Sequence, residues 1–471
     1  MSLYENKEPR MPLERVAIPE NKHFKLRNKY HPLLNNHNKK GNLASAIFGY
    51  VSLFGTTLLV LALTYQGLPA LLEALGAAKN SFWYNLVYGL LGPVLMFLFV
   101  AVVALINILM LRKYLAKVQN RYGPLHHGPA GVLQTVFDAL KLVSKEDFSP
   151  GMVEETIFTL APVIVFVSAF IMIAVMPFAP GWVFSNVDSG ALFIIAAGTL
   201  GGYGVLLAGW SMNNKYGLMG GLRAAAQLVS YEVPLSIALL SVVVYNGSMN
   251  LTTIVESQAT VWNVFPLFIP FVIYLIAGLA EIKMTPFDLP EAESELVAGF
   301  NTEYGGMRFG FFFVAEFAEL YLLPAILAIF FLGGWHAPTL PIIGELVIRT
   351  NAPDPTNASS ILGLLQTMFA PGGIGTNLQY AFWSLLKAAA GVYFYMWIRA
   401  TLPRFRDDQL MELCWKGLIP LSMIGLLLAA VSRLYPVVGQ ILSYVTAVPL
   451  LLFIVSRAFG LKLPSPKKEL A

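Results

Sequence analysis

One cysteine, Cys414, stands in 471 residues. That scarcity excludes a disulfide framework and any iron–sulfur cluster ligated by the chain's own cysteines. Histidine is nearly as scarce: His23, His31, His37, His126, His127 and His336 are the full set. None lies in the middle of an apolar run, so a transmembrane haem held by facing histidines is excluded. Any redox centre must come from a ligand or a partner chain. Nucleotide-binding motifs, internal repeats and an N-terminal signal peptide are also lacking, and the sequence gives no metal site. Charge is thin, with charged residues at 12% against 56% hydrophobic and a mean hydropathy of +0.65. A soluble chain of this length cannot hide that much apolar surface in one core, whereas a polytopic bundle exposes it to lipid.

What is there is a series of long apolar runs. A bilayer core needs about 20 such residues per helix. Spans are predicted near 45–67, 88–111, 155–178, 191–212, 232–249, 262–282, 309–333, 380–399, 417–433 and 437–457. Two shorter apolar pieces, Gly131–Val143 and Ile361–Ala370, read as interfacial. With both termini inside, 27 of the 31 Lys and Arg residues fall on the inner side, as the positive-inside rule asks. The expected architecture is an all-α polytopic membrane protein. The chain divides into a basic polar extension over 1–44, a first span at 45–67, a core from 88 to 432, and a last span with a short basic tail over 433–471.

The most informative inner segment runs from Thr285 to Arg308. It carries Asp288, Glu291, Glu293, Glu295 and Glu303 against a single arginine. Asp288, followed by Pro290 and Glu291, reads as the N-cap of a helix, and acids in a first turn complement the helix dipole. Glu295 and Glu303 lie beyond that cap. They are either a solvated acidic loop or buried groups whose desolvation lets them exchange protons near neutrality. Ionisable residues at or inside spans extend the pattern: Glu232, Glu281, Glu316, Glu319 and Lys387. An intramembrane charge is costly and usually marks an ion or substrate path. A second inner segment, Arg112–Pro150, holds the basic end of a span, a Gly-Pro turn and the amphipathic piece Gly131–Val143, which is either an anchor or the flank of a lipid-facing entrance.

These segments resemble, block by block, the quinone-site membrane component of respiratory complex I, as found in the bacterial NADH–quinone oxidoreductases. The blocks are Gln119-Asn-Arg-Tyr-Gly-Pro124, Gly128-Pro129, Leu140-Lys-Leu142, Lys145-Glu-Asp147, Leu207-Ala-Gly-Trp210, Lys215-Tyr216, Leu222-Arg-Ala-Ala-Ala-Gln227 and Ser230-Tyr-Glu-Val-Pro234. Further along come Ala280-Glu281, the long block from Thr285 to Gly299, Asn301-Thr-Glu-Tyr304, Met307-Arg-Phe309, Gly333-Gly-Trp-His336 and Trp397-Ile-Arg-Ala-Thr-Leu-Pro-Arg404. Leu111 and Leu125-His126-His127 depart from the family's usual residues.

The resemblance implies an eight-helix core with an extra helix at each end. It implies a chamber for quinone as substrate, formed with a hydrophilic iron–sulfur subunit and entered from lipid between the 88–111 span, Gly131–Val143 and the 309–333 span. Arg112, Gln119, Arg121, Arg223, Gln227, Phe287 and Arg308 would line or dock that chamber. Glu232, Glu281, Asp288, Glu291, Glu293, Glu295, Glu303 and Glu316 would form a carboxylate path toward antiporter-like membrane subunits. Iron–sulfur clusters and FMN are expected in partner subunits, no catalytic residue in this chain alone, no nucleic-acid partner, and a bacterial inner membrane with cytoplasmic termini. The alternative is a homologous anchor of a quinone or methanophenazine reductase fed by F420H2 or ferredoxin. A free-standing secondary transporter is a third reading, which the missing repeat disfavours.

Overall fold

The computed structural model describes residues 54–74, 81–125, 127–128, 131–259, 261–290, 293–337 and 374–435. The predicted span at 437–457, the piece Ile361–Ala370 and Glu291 lie outside these residues. Among the described residues the chain is helical and carries no named strand. The elements in chain order are α1 (Phe54–Glu73) and α2 (Phe82–Val118), α3 (Gln134–Ser144), α4 (Glu155–Ala174), α5 (Gly190–Ser211) and α6 (Lys215–Asn246). There follow α7 (Leu251–Ser257), α8 (Phe268–Glu281), α9 (Glu293–Leu296), α10 (Gly306–Phe331) and α11 (Ile374–Thr401), then α12 (Asp407–Leu434).

Seven of these are long and apolar enough to cross a membrane: α1, α2, α4, α5, α6, α10 and α12. Apolar helix α8, with 14 residues, is shorter than a bilayer core demands. Helix α11 is 28 residues long, but Thr376, Asn377, Gln379 and Lys387 dilute its apolar character. The predicted end of the first span at 67 is overrun, because α1 continues through a π-helical turn at Leu63–Gly67.

Helix α10 is the hub. In its most apolar stretch 83% of the residues are buried inside the protein, against 28% for α12 and 39% for α5. A helix apolar on all sides is either wrapped by protein or by lipid; α10 is wrapped by α2, α4 and α11, and the outer helices keep lipid-type surface. The α5–α6 crossing shows how close packing is achieved. A Cβ on Gly209 would lie 2.7 Å from the Gly221 Cα, and one on Gly221 would lie 2.9 Å from the Gly209 Cα. Paired small residues are the usual means of bringing two membrane helices to backbone contact.

Two sequence expectations change here. Helix α6 starts at Lys215 and runs unbroken for 32 residues, so Glu232 lies in mid-helix rather than at the mouth of a span beginning near 232. Pro234 does not end it, since a proline in a membrane helix is tolerated where neighbours repair the lost bond. Nor is Asp288 an N-cap: Leu289 is non-helical, and the described helix α9 begins only at Glu293. The turn from Thr285 to Phe287 is pinned by tertiary contacts instead, and its Thr285–Pro286 bond is cis.

Candidate functional site

Two cavities flank helix α10. The larger, about 270 Å³, is lined by Phe300, Phe309, Phe312, Phe313 and Phe317 together with Val165, Ala298 and Asn301. Three charged side chains open on it: Lys283, Glu316 and Arg399. Nη1 of Arg399 is enclosed and has no hydrogen-bond partner. The second cavity, about 40 Å³, gathers Glu232 of α6, Glu281 at the end of α8 and Glu319 of α10, beside Tyr274. Glu319 is only 8% exposed, and Oε2 of Glu281 is buried without a hydrogen-bond partner. The Thr199 hydroxyl donates to Glu232 Oε1. Three carboxylates from three helices thus converge on one small cavity.

Helical geometry explains the split between the cavities. Glu316 and Glu319 are three residues apart on α10, so their side chains point about 60° apart, one toward the aromatic cavity and one toward the acids.

Gln227 locks the turn before this site. Its side-chain amide donates to the carbonyls of Ala280 at 2.7 Å and Phe287 at 2.8 Å. The Phe287 ring meets Tyr231 and Phe405, each with centroids at 5.5 Å. The Thr285 hydroxyl donates to the Arg399 carbonyl at 3.1 Å, and the Phe405 N–H to that of Pro286 at 3.0 Å. Gln227 and Phe287 are therefore fixtures of the loop that carries the acids.

Glu295 lies elsewhere. Its side chain is 49% exposed and takes a 2.7 Å ion pair from Arg223 and a 2.9 Å pair from Arg404. Arg223 also reaches Asp407 at 3.2 Å. The hydrogen bond from Arg223 holds the Glu295 carboxyl below its ordinary range, with help from Arg404. Of the two readings left open for Glu295, the exposed one applies: bases drawn from α6 and the α11–α12 loop meet it at the surface. Glu303 is half-buried and accepts a 2.9 Å bond from the Asn214 amide. Asp288 is half-buried in the pinned turn, and Glu293 opens α9.

Two further bases hold α3 and the turn that follows it to the bundle. Arg112 near the end of α2 pairs with Asp138 of α3. Arg308 at the start of α10 pairs with Asp147 at 3.2 Å, and its guanidinium sits 5.1 Å over the Phe158 ring. That ring stacks on Tyr304 with centroids 4.1 Å apart, and burial pushes the Tyr304 hydroxyl up to about 12. At the surface, the Arg121 guanidinium donates to Gln119 Oε1 at 2.7 Å.

Lys387 is reassigned. Its ammonium donates to the carbonyls of Leu332, Gly334 and His336 at 2.5, 3.0 and 2.6 Å, capping the C-terminus of α10. Burial, aided by the Lys387 charge, lowers the nearby His336. Conversely, sequence reasoning flagged Glu319 as an intramembrane charge without assigning it to the carboxylate path, and left Lys283 and Arg399 out of the site. The only signal for Lys283 was a lone base two residues beyond Glu281.

The family model for NADH dehydrogenase matches residues 91–430. The chain is 44% identical over 324 residues to an NADH-quinone oxidoreductase subunit of Brevibacillus brevis, covering 69% of this chain and 87% of that one. The equivalent chain of Geobacillus kaustophilus is 44% identical over 354 residues, 74% of this chain and 96% of the relative. That of Rhodospirillum centenum is 41% identical over 319 residues, 68% and 86% respectively. The helical core, its buried acids and nearly the whole length of these relatives coincide within one stretch, and the chain belongs to the NADH dehydrogenase family of membrane subunits.

Proposed function

We propose that this chain is the membrane subunit of a proton-translocating NADH–quinone oxidoreductase that houses quinone and couples its reduction to proton movement. The observation that carries the reading is the pair of cavities on α10, one aromatic and sized for a flat ring, the other holding Glu232, Glu281 and Glu319. An aromatic pocket with a few convergent polar groups suits a small apolar ligand, and buried carboxylates suit proton relay. Quinone reaches the chamber between α2, α3 and α10, with Arg112 and Arg308 fixing α3 beside the opening. Arg121, Arg223 and Gln119 belong to the surface that docks a hydrophilic iron–sulfur subunit. Glu232, Glu281 and Glu316 carry protons toward antiporter-like membrane subunits, with Asp288, Glu291, Glu293, Glu295 and Glu303 forming the acidic loop that responds to the chamber.

The chain is not catalytic alone. Clusters need thiolate ligands and this sequence has one cysteine, so the iron–sulfur clusters reside in partner subunits; in this reading FMN does too, and quinone is the substrate. The core over 88–432 carries this function, in a bacterial inner membrane with cytoplasmic termini. The relatives named above all carry the NADH–quinone name, which favours NADH over F420H2 or ferredoxin as donor.

Glu281→Gln in the assembled complex tests the reading. Electron transfer from NADH to a short-chain quinone should continue while protons moved per NADH fall by half or more. Wild-type pumping in this variant would reject the carboxylate path.

A further inference from the structure

Pro234 leaves a gap in the hydrogen bonding of α6. A proline has no N–H to give, so the carbonyl four residues back, that of Ser230, loses its helical donor. Both residues lie well inside the 32-residue helix. The turn from Ser230 to Pro234 is therefore open on one side, and Glu232 sits in the middle of it. The missing donor comes from α12. The Cys414 thiol, fully buried, donates to the Ser230 carbonyl at 3.0 Å. The Ser230 hydroxyl donates in the opposite direction, to Met411 Sδ at 3.6 Å. One residue on, the buried Tyr231 hydroxyl donates to the Leu410 carbonyl at 2.9 Å. Leu410 and Cys414 are four apart and so share a face of α12, and Cys414 belongs to the π-helical turn Leu413–Leu418. Single π-helical turns inside α-helices are frequent at functional sites. The surface pair of Arg223 with Asp407 at 3.2 Å continues the same α6–α12 contact.

We infer that the start of α12 is a clamp that closes the open turn of α6, with Cys414 as a positioning residue for Glu232. This rests on the proton-relay reading above. A backbone carbonyl inside a membrane must find its partner within the protein, because lipid supplies none. Two residues of helix turn through about 200°, so Ser230 and Glu232 lie on opposed faces of α6. The clamp grips one face from α12. The carboxylate leaves the other, toward the Thr199 hydroxyl of α5 and the acid cavity. Without the thiol, the Ser230 carbonyl must swing toward another donor, and the turn that carries Glu232 swings with it. The carboxylate then loses its aim at Glu281 and Glu319. The role asks for no reactivity of the thiol: it donates one hydrogen bond, and no bond is made or broken.

The test uses the whole complex in proteoliposomes with NADH and decylubiquinone. Wild type is compared with Cys414→Ala, Cys414→Ser, Pro234→Ala and the double variant Pro234→Ala/Cys414→Ala. Two quantities are read: protons moved per NADH, and the thermal midpoint of the complex. Cys414→Ala should lower the ratio by half or more and the midpoint by a few degrees while electron transfer to decylubiquinone continues. Serine keeps a hydroxyl donor in the same place, so Cys414→Ser should retain both. Alanine at 234 gives back the N–H that the Ser230 carbonyl lacks. In that background, loss of the thiol should leave ratio and midpoint where Pro234→Ala alone puts them. A thiol that merely fills space would cost the same in both backgrounds, and that result overturns the inference. So does a wild-type ratio in Cys414→Ala. Should Cys414→Ala fail to assemble, the double variant must assemble, and failure of both overturns the clamp. Glu232→Gln, measured alongside, separates the clamp from the reading beneath it. Wild-type pumping in Glu232→Gln sinks the carboxylate path. Reduced pumping there, beside a wild-type ratio in Cys414→Ala, overturns the clamp alone.

Discussion

Among the individual residues, Glu295 shows how a neighbour's charge decides a carboxylate's behaviour. Arg223 and Arg404 hold it ionised at the surface. A carboxylate whose folded pKa is depressed adds stability above its unfolded pKa, and that contribution disappears as pH falls through the folded value. The tether on the Thr285–Arg308 segment therefore survives mild acid and loosens only below the ordinary carboxylate range. Glu295→Gln should mimic that state at neutral pH. Hydrogen exchange across 284–300 is expected to quicken, while the melting midpoint hardly moves, because exposed ion pairs contribute roughly 0–1 kcal/mol. Unchanged exchange in that segment would contradict the tether. Sequence alone marked Glu232 and Glu281 as costly and therefore significant. It could not place Glu295 outside the core, because its partners come from positions 223 and 404, and nothing local announces a contact over such separations.

The secondary-structure elements were legible where apolar length alone decides them and obscure where packing does. The spans of α2, α4, α5 and α10 follow from their composition. The start of α6 at Lys215 did not, because Lys215, Arg223, Gln227 and Ser230 dilute the apolar run from which a span is read. In that stretch Gly220 and Gly221 are the small contacts that let α6 lie against the Gly299 turn and α5. Lys387 carries the prediction that belongs here. It satisfies three carbonyls beyond the end of α10 and lies 4.5 Å from the Trp262 ring centroid. A cation near a helix C-terminus also complements the dipole. Lys387→Met strands those carbonyls in a buried place, a loss of about 1–3 kcal/mol. The thermal midpoint of the purified complex should fall by several degrees with the proton ratio intact. A lowered ratio at unchanged stability would instead make Lys387 part of the proton path.

For the molecule as a whole, class and family were legible in full, since they depend on mean hydropathy and on blocks of sequence that need no folding to recognise. The pairing of cavities on α10 was not, because it depends on which faces of α6, α8 and α10 meet. Those faces are set by close crossings such as Gly209 on Gly221. Gly221→Leu should therefore act globally. The added side chain meets backbone at under 3 Å, so α5 and α6 must separate. The expected result is loss of the assembled complex on native gels, with the partner iron–sulfur subunit no longer co-purifying. Gly89→Ala makes the control, since nothing lies within 4 Å of the added carbon.

Helix α6 also acts as a ruler. Arg223, at the surface ion cluster, and Glu232, at the acid cavity, are nine residues apart on one uninterrupted helix, a separation of about 13.5 Å. No loop lies between them to absorb a change in length. One residue inserted anywhere from 224 to 231 would swing Glu232 by about 100° away from Glu281 and Glu319, with Arg223 still seated on Glu295. The spacing of these two charges is consequently a dimension of the protein, as fixed as a bond length is for a small molecule, and it can change only where the chain is not helical.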